Sequence, residues 1–247
     1  MLHVAGRMES CSVRHAACGG ESKMLYIVST PIGNLKDITL RAIEVLKSVD
    51  MIAAEDTRRT RILTSHYQIN TSLVSYYQHN EIKKADHLLR LLKEGKSIAL
   101  VTDAGTPGIS DPGYHLIQIA KENGIPLTVV PGPAALIAAL SLSGLPAHHF
   151  IFEGFLPVKS GARRKKLEQF KKEDRTIIFY ESPHRLVKTL KALEEVLDNP
   201  EVVCVREITK KFEEVKSARA RELLEYFTRI KPRGEFVLLL KPEQGGD

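Results

Sequence analysis

The chain has 247 residues, 43% of them apolar and 27% charged, and its 36 Lys and Arg against 30 Asp and Glu give a net charge of +6. Those proportions exclude a disordered, collagen-like or disulfide-scaffolded chain, and the length suits one large domain or two of about 100 to 150 residues. The longest apolar runs, residues 134–140 and 236–240, fall far short of the ~20 residues that span a bilayer, so no membrane partner is expected.

Residues 1–23 are polar, carry no helical or strand period and lack the apolar core of a signal peptide, which predicts a disordered leader with Met24 as the true start. Cys11 and Cys18 lie in it; with His15 they make an incomplete zinc set, without a fourth ligand or a CxxC spacing. Cys204, in the apolar run 202–205, is expected in the core, and no disulfide framework is implied.

From there strand and helix signals alternate. Residues 25–29 read as a strand, Leu40, Ile43, Leu46 and Val49 as one helix face, and residues 51–54 as a second strand. Ile82, Ala85, Leu88, Leu89 and Leu92 line a helix capped at Asn80 and stopped at Gly95, and residues 97–102 are a buried-strand run. A helix over 114–122 ends near Gly124, residues 127–130 are the next strand and 133–142 the next helix. This is the alternation of a parallel sheet covered on both faces. Past Gly144 the pattern resets, with strands at 150–155, 176–180, 201–206 and 235–240 and helices near 162–170, 183–197 and 218–228. The stripe Leu186, Leu190, Leu193 and Leu197 marks a core face, and Ser182 and Pro183 read as an N-cap and first helical position. Two α/β domains follow, 24–143 and 144–247, joined near residues 141–147 with a ligand cleft between them.

Open α/β sheets bind ligands beyond the carboxyl ends of their strands, so the loops there carry the chemistry. Four stand out: residues 29–35, 54–59, 102–113 and 130–134. In the third, Gly105, Gly108 and Gly113 let the backbone approach a ligand, Pro107 and Pro112 fix its path, and Asp103 and Asp111 offer carboxylates to hydroxyl or ammonium donors. GxGxxG, GxxxxGK[ST] and GxSxG are all absent, which disfavours nicotinamide, nucleoside-triphosphate and serine-hydrolase readings.

The blocks LYIVSTPIGNLKDIT, AAEDTRRT, VTDAGTPGISDPGY, VVPGPAA, FEGFLP, FYESPHR and REITKKFEE, in that order across about residues 24–242, resemble the ribosomal RNA small subunit methyltransferase I family of the tetrapyrrole methylase superfamily. The resemblance implies two α/β domains of tetrapyrrole methylase type, a cytoplasmic homodimer, S-adenosyl-L-methionine in the cleft, and methylation of a cytidine ribose 2′-hydroxyl (cytidine 1402) in the decoding region of 16S rRNA, within the small ribosomal subunit. It puts Pro31, Ile32, Gly33 and Asn34, then Asp103, Ala104, Gly105, Thr106, Pro107, Ile109, Ser110 and Asp111, then Pro131, Gly132, Pro133 and Ala134, on the cofactor. The chain departs from the superfamily's Gly-rich first loop and Gly-Asp-Pro central loop; Gly105-Thr106-Pro107 stands where the latter aligns, which leaves open which aspartate meets the cofactor.

Methyl transfer from a sulfonium needs no metal, but a ribose hydroxyl is a weak acid and gains from a general base or a cation at the developing alkoxide. Glu55 or Asp56, or else His184, are the base candidates, with Arg58, Arg59 and Arg185 on phosphate or nucleophile. The structural alternatives are that Asp56 caps a helix beginning at Thr57 and that Glu181 and Arg185, four apart, form an ion pair. Residues 159–175 hold eight Lys or Arg against Glu168, Glu173 and Asp174, so +5 of the net +6 resides there; Arg163, Arg164, Lys165 and Lys166 on a predicted helix are the candidate RNA contacts. A tetrapyrrole or other small-molecule methyltransferase, which has no evident use for that segment, and a non-catalytic RNA-binding protein, which leaves the strand-end loops unexplained, are the other readings.

Overall fold

The computed structural model describes residues 24–77 and 81–242. The expectations for the leader, for Cys11, His15 and Cys18, and for the cap at Asn80 lie outside those residues.

The first half is built on five strands, β1 (Met24–Val28), β2 (Met51–Ala54), β3 (Ser72–Ser75), β4 (Ser97–Val101) and β5 (Leu127–Val130), all parallel in the order β3-β2-β4-β1-β5. Helices α1 (Leu40–Ser48) and α2 (Thr57–His66) lay Ala42, Leu46 and Leu63 against Val28, Ile52 and Val101 on one face. On the other, α3 (Glu81–Lys93) and α4 (Tyr114–Glu122) lay Ala85, Leu88 and Leu116 against Leu25, Ala53 and Leu100. Each fully buried Leu or Ile there contributes about 1.5–3 kcal/mol.

The helix α1 forms as expected, but Leu40 is 79% exposed and the buried residues are Ala42, Leu46 and Val49. Nine residues of α-helix turn through about 900°, which puts Leu40 and Val49 on opposite sides. Ile82 on α3 faces water for a similar reason, one turn outside the Ala85–Leu88–Leu92 seam. Sequence periodicity gave no warning of β3, and of α2 only the Asp56 cap and the start at Thr57 were anticipated, because residues 57–66 are too polar to show an apolar seam.

Helix α5 (Ala135–Ser143) connects the halves and ends at Gly144 in the left-handed conformation. The second sheet is mixed, β6-β7-β10-β8-β9, from β6 (Phe150–Phe155), β7 (Thr176–Glu181), β8 (Glu201–Arg206), β9 (Glu214–Arg219) and β10 (Phe236–Leu240); only β6 and β7 pair parallel. Helices α6 (Ser160–Phe170), α7 (Leu186–Val196) and α8 (Ala220–Arg229) cover one face through Leu167, Leu190 and Leu223, over a floor that includes Cys204. The opposite face is covered by α5: Leu136, Ala139 and Leu140 pack on Ile178, Val203, Val237 and Leu239, with Ile32 from the first half beside them.

Two boundaries differ from expectation. The helix α7 starts at Leu186, not at Pro183, because β7 runs on to Glu181 and residues 183–185 turn, Ser182 accepting at its carbonyl from the amides of Arg185 and Leu186. Strand β9 was not legible, and α8 accordingly begins at Ala220, not 218. Its inward residues are Glu214, Lys216 and Ala218, kept at a sheet edge by polar partners, so no apolar alternation marks it.

Candidate active site

The carboxyl ends of β1 and β4 are adjacent, and their loops are stapled together. Thr30 and Gly105 exchange backbone hydrogen bonds (2.8 and 3.1 Å), the Thr30 hydroxyl donates to the Thr102 carbonyl (3.0 Å), and the Ser29 and Thr106 hydroxyls meet at 2.8 Å. The bridge needs Gly105 at φ +88°, a conformation that L side chains rarely adopt. Ser110 takes a left-handed φ of +63° without being glycine, a strain of about 1 kcal/mol or more of the kind held at functional loops.

Between this platform and the second sheet lies a cavity of about 590 Å³. Of the residues expected on a cofactor, Ile32, Ala104, Gly105, Thr106, Ile109, Ser110, Asp111 and Ala134 line it. Gly33, Asn34, Pro107, Pro131, Gly132 and Pro133 do not; Asn34 caps the short 3-10 turn Leu35–Asp37, and Pro31 and Asp103 open onto a neighbouring pocket. Glu181, Ser182 and Pro183 of the block FYESPHR line it too, while Ala135, Leu136 and Ile137 on α5 and Phe155, Tyr180, Val205, Ile208, Lys210, Glu235, Phe236 and Val237 from the second half were missed from the sequence. Most of these read as ordinary core residues.

Acidic side chains gather under the central loop. The Thr102 hydroxyl donates to Glu55 Oε2 (2.6 Å), which also accepts from the Asp103 amide (3.2 Å). Asp103 accepts from the Asp56 amide (3.1 Å) and pairs with Arg59 (3.2 Å). Burial, reinforced by the charges of Glu55, Asp103 and Glu235, pushes the Asp111 carboxyl up to about 6. Burial and Glu55 also raise Asp103.

Facing them, the β8–β9 connection passes through left-handed Glu207 (φ +49°) and Thr209 (φ +64°) and presses on the first half at Gly33, where an added Cβ would stand 2.4 Å from Lys210 Cγ. Lys210 Nζ is held by Glu207 (3.0 Å) and Glu235 (2.8 Å), and Lys210 and Glu235 both line the cavity. Among the described residues no three His, Cys, Asp or Glu are arranged to hold a metal ion.

The three base candidates fare differently. Asp56 is the N-cap of α2, accepting from the Arg58 amide (2.8 Å), and the Arg58 guanidinium beside it holds its carboxyl down to about 2, a poor proton acceptor. His184 is exposed and absent from the cavity lining. Glu55 sits under the loop and not on the cavity wall. Arg185 pairs with fully buried Glu181 (3.3 Å) and donates to the Leu156 carbonyl, a structural arrangement completed by the Thr189 hydroxyl on Glu181 (2.6 Å).

The basic segment is corrected in part. Arg163 is only 5% exposed and turned inward, its guanidinium donating to the Val158 carbonyl (3.4 Å), so it is no surface contact. Arg164 pairs with Glu195 and Lys166 with Glu153 (2.7 Å); Lys165 remains exposed. Helical spacing explains the reversal: Arg163 shares the buried seam of Leu167 and Phe170, four and seven residues on.

Comparison with known proteins matches residues 24–224 to the family described as Tetrapyrrole (Corrin/Porphyrin) Methylases. Proteins named ribosomal RNA small subunit methyltransferase I are 50% identical over 231 residues in Escherichia coli O157:H7 (92% of this chain, 81% of the relative) and 47% identical over 220 residues in Thermotoga maritima (89% and 99%). Among solved structures, uroporphyrin-III C-methyltransferase from Thermus thermophilus complexed with S-adenyl homocysteine superposes with a TM-score of 0.62 at 22% identity, covering 87% of this chain and 96% of that one. Diphthine synthase does so at 0.68 and 13%, covering 88% and 89%. At those identities the structures speak for the fold alone.

Proposed function

The chain belongs to the tetrapyrrole methylase family, among its ribosomal RNA small subunit methyltransferase I members, and from that premise we propose that it uses S-adenosyl-L-methionine to methylate the 2′-hydroxyl of a cytidine, cytidine 1402, in the decoding region of 16S rRNA. The reading includes a cytoplasmic homodimer acting on the small ribosomal subunit.

The observation that carries it is the cavity at the β1–β4 switch point. Its volume of about 590 Å³ lies within the ordinary range for ligand pockets. With Glu181 already paired to Arg185, its charged lining is Asp111 and Glu235 against Lys210, a net negative set that favours a cationic sulfonium ligand. Ile32, Leu136, Val205 and Val237 offer apolar walls to a purine, and Gly105, Thr106 and Ala134 bring backbone close to it. When bound, S-adenosylmethionine supplies a methyl group already activated on sulfur.

The chain's own residues then have to position the ribose and take its proton. Asp111 suits the second task better than Glu55, Asp56 or His184: it lines the cavity, and a carboxyl near 6 is ionised at neutral pH yet more basic than an ordinary aspartate. The carboxylate takes the 2′-hydroxyl proton as the oxygen attacks, and returns it to water afterwards. Glu55 accepts from the Thr102 hydroxyl and the Asp103 amide, which fixes the start of the loop that carries Asp111. The β8–β9 connection and α5 wall the cavity through Ile208, Lys210, Leu136 and Ile137.

Incubation with methyl-labelled S-adenosylmethionine and unmethylated small ribosomal subunits tests the reading. Label is expected on one cytidine ribose, making the next phosphodiester resistant to alkali. Label on a base, on a corrin precursor instead, or nowhere, contradicts it.

A further inference from the structure

Beside the cofactor cavity lies a second, smaller pocket of about 310 Å³ between the β1 loop and α2. Pro31, Leu35, Ile62 and Leu63 give it apolar walls, and Arg59 and Asp103 stand at its polar edge. It opens to solvent: Ile62 is 64% exposed and the Arg59 side chain 66%. Pro31 and Asp103 line it, and the next residues along the chain, Ile32 and Ala104, line the cofactor cavity, so the two pockets adjoin across the same two loops. Around the mouth, α2 carries Arg58, Arg59 and Arg61 and no acidic residue.

We infer that this pocket receives the base of the nucleotide to be methylated, a cytosine read at its exocyclic amine by Asp103, with the α2 arginines on the flanking phosphates. The inference rests on the methylation reading above. A base that is to present its ribose to a buried donor leaves its stack and is held by apolar contact and by hydrogen bonds to its pairing edge. An ionised carboxylate accepts only: it takes a hydrogen bond from the amine of cytosine and repels the O4 carbonyl that uracil has there. Asp103 Oδ1 is fixed by the Asp56 amide at 3.1 Å, which leaves Oδ2, held by Arg59 at 3.2 Å, to face the pocket. Arg59, mostly exposed, is free to swing from that pair to a phosphate when RNA arrives. The ribose of a base so seated lies at the junction, beside Asp111.

The test compares small subunits carrying cytidine or uridine at the methylated position, with wild-type protein and Asp103→Asn. An asparagine amide can turn its NH₂ toward O4 of uracil, so the cytidine-to-uridine ratio of kcat/KM is expected to fall at least about tenfold, while S-adenosylmethionine binding, which reports on folding, stays within about twofold. Arg59→Ala is expected to weaken RNA binding and flatten its salt dependence by about 0.7 in the log–log slope, one phosphate contact on a single strand, leaving the ratio intact. An unchanged ratio in Asp103→Asn with normal cofactor binding overturns the inference alone. Absence of wild-type methylation on the cytidine subunits overturns the function reading and this inference with it.

Discussion

At the carboxyl end of β4, Glu55 accepts from the Thr102 hydroxyl with Asp103 and Asp111 on the loop beyond it, and burial keeps Asp111 protonated up to about pH 6. Across residues 159–175, by contrast, five of eight cations have found a partner: Arg163 a carbonyl, and Arg164, Lys166, Lys171 and Arg175 a carboxylate each. The first cluster is small and poorly compensated; the second is large and mostly satisfied. Crowding of like charges in a cavity costs stability and yields reactivity, whereas a long run of charge on a helix spends itself on neighbouring glutamates. Counting residues by sign points to the second region, and following their partners points to the first.

The sharpest way to break this contrast is Asp111→Asn. Removal of the general base is expected to lower the single-turnover rate by about 100-fold or more at pH 8 under saturating cofactor, a far larger effect than the severalfold weakening of cofactor binding expected from the lost carboxylate. Next in size is Arg185→Ala. It strips an ion pair from buried Glu181, leaving Ser182 and Thr189 as donors, and is expected to cost about 1–3 kcal/mol in denaturant unfolding. A loss of activity at full stability would instead return Arg185 to the substrate. The smallest effect belongs to Lys159, Lys165 and Lys172, the three cations of the basic segment outside those five. Their joint replacement by alanine is expected to weaken RNA binding only severalfold at low salt; a loss of a thousandfold would restore the whole segment as the main RNA surface.

Much of the first half was legible because its strands are short apolar runs, β2 and β4 buried on both faces, and its helices carry clean apolar seams, so β1, β2, β4, β5 and α4 fall where pattern alone puts them. The mixed sheet was harder. Its central strand β10 is a plain apolar run, but β9 holds its inward face with Glu214, Lys216 and the Tyr226 ring, which no hydropathy pattern reports. The central loop betrayed itself through its Gly, Pro and Asp content. Tyr180, Val205 and Val237 did not, because a residue lining an inter-domain cavity has the composition of core until the second sheet is set against α5. Lys210 stood within the block REITKKFEE, yet only the fold brings it opposite Asp111. Charge on α6 misled because spacing decides which arginine turns inward.

The pH dependence of single-turnover methylation tests the role of Asp111 most directly. A base must be ionised to act, so with its carboxyl near 6 the wild-type rate is expected to rise tenfold per pH unit below pH 6 and level off above it. Asp111→Asn is expected to be slow and to lack that inflection. A variant that keeps both the wild-type plateau and the rise through pH 6 would contradict the assignment.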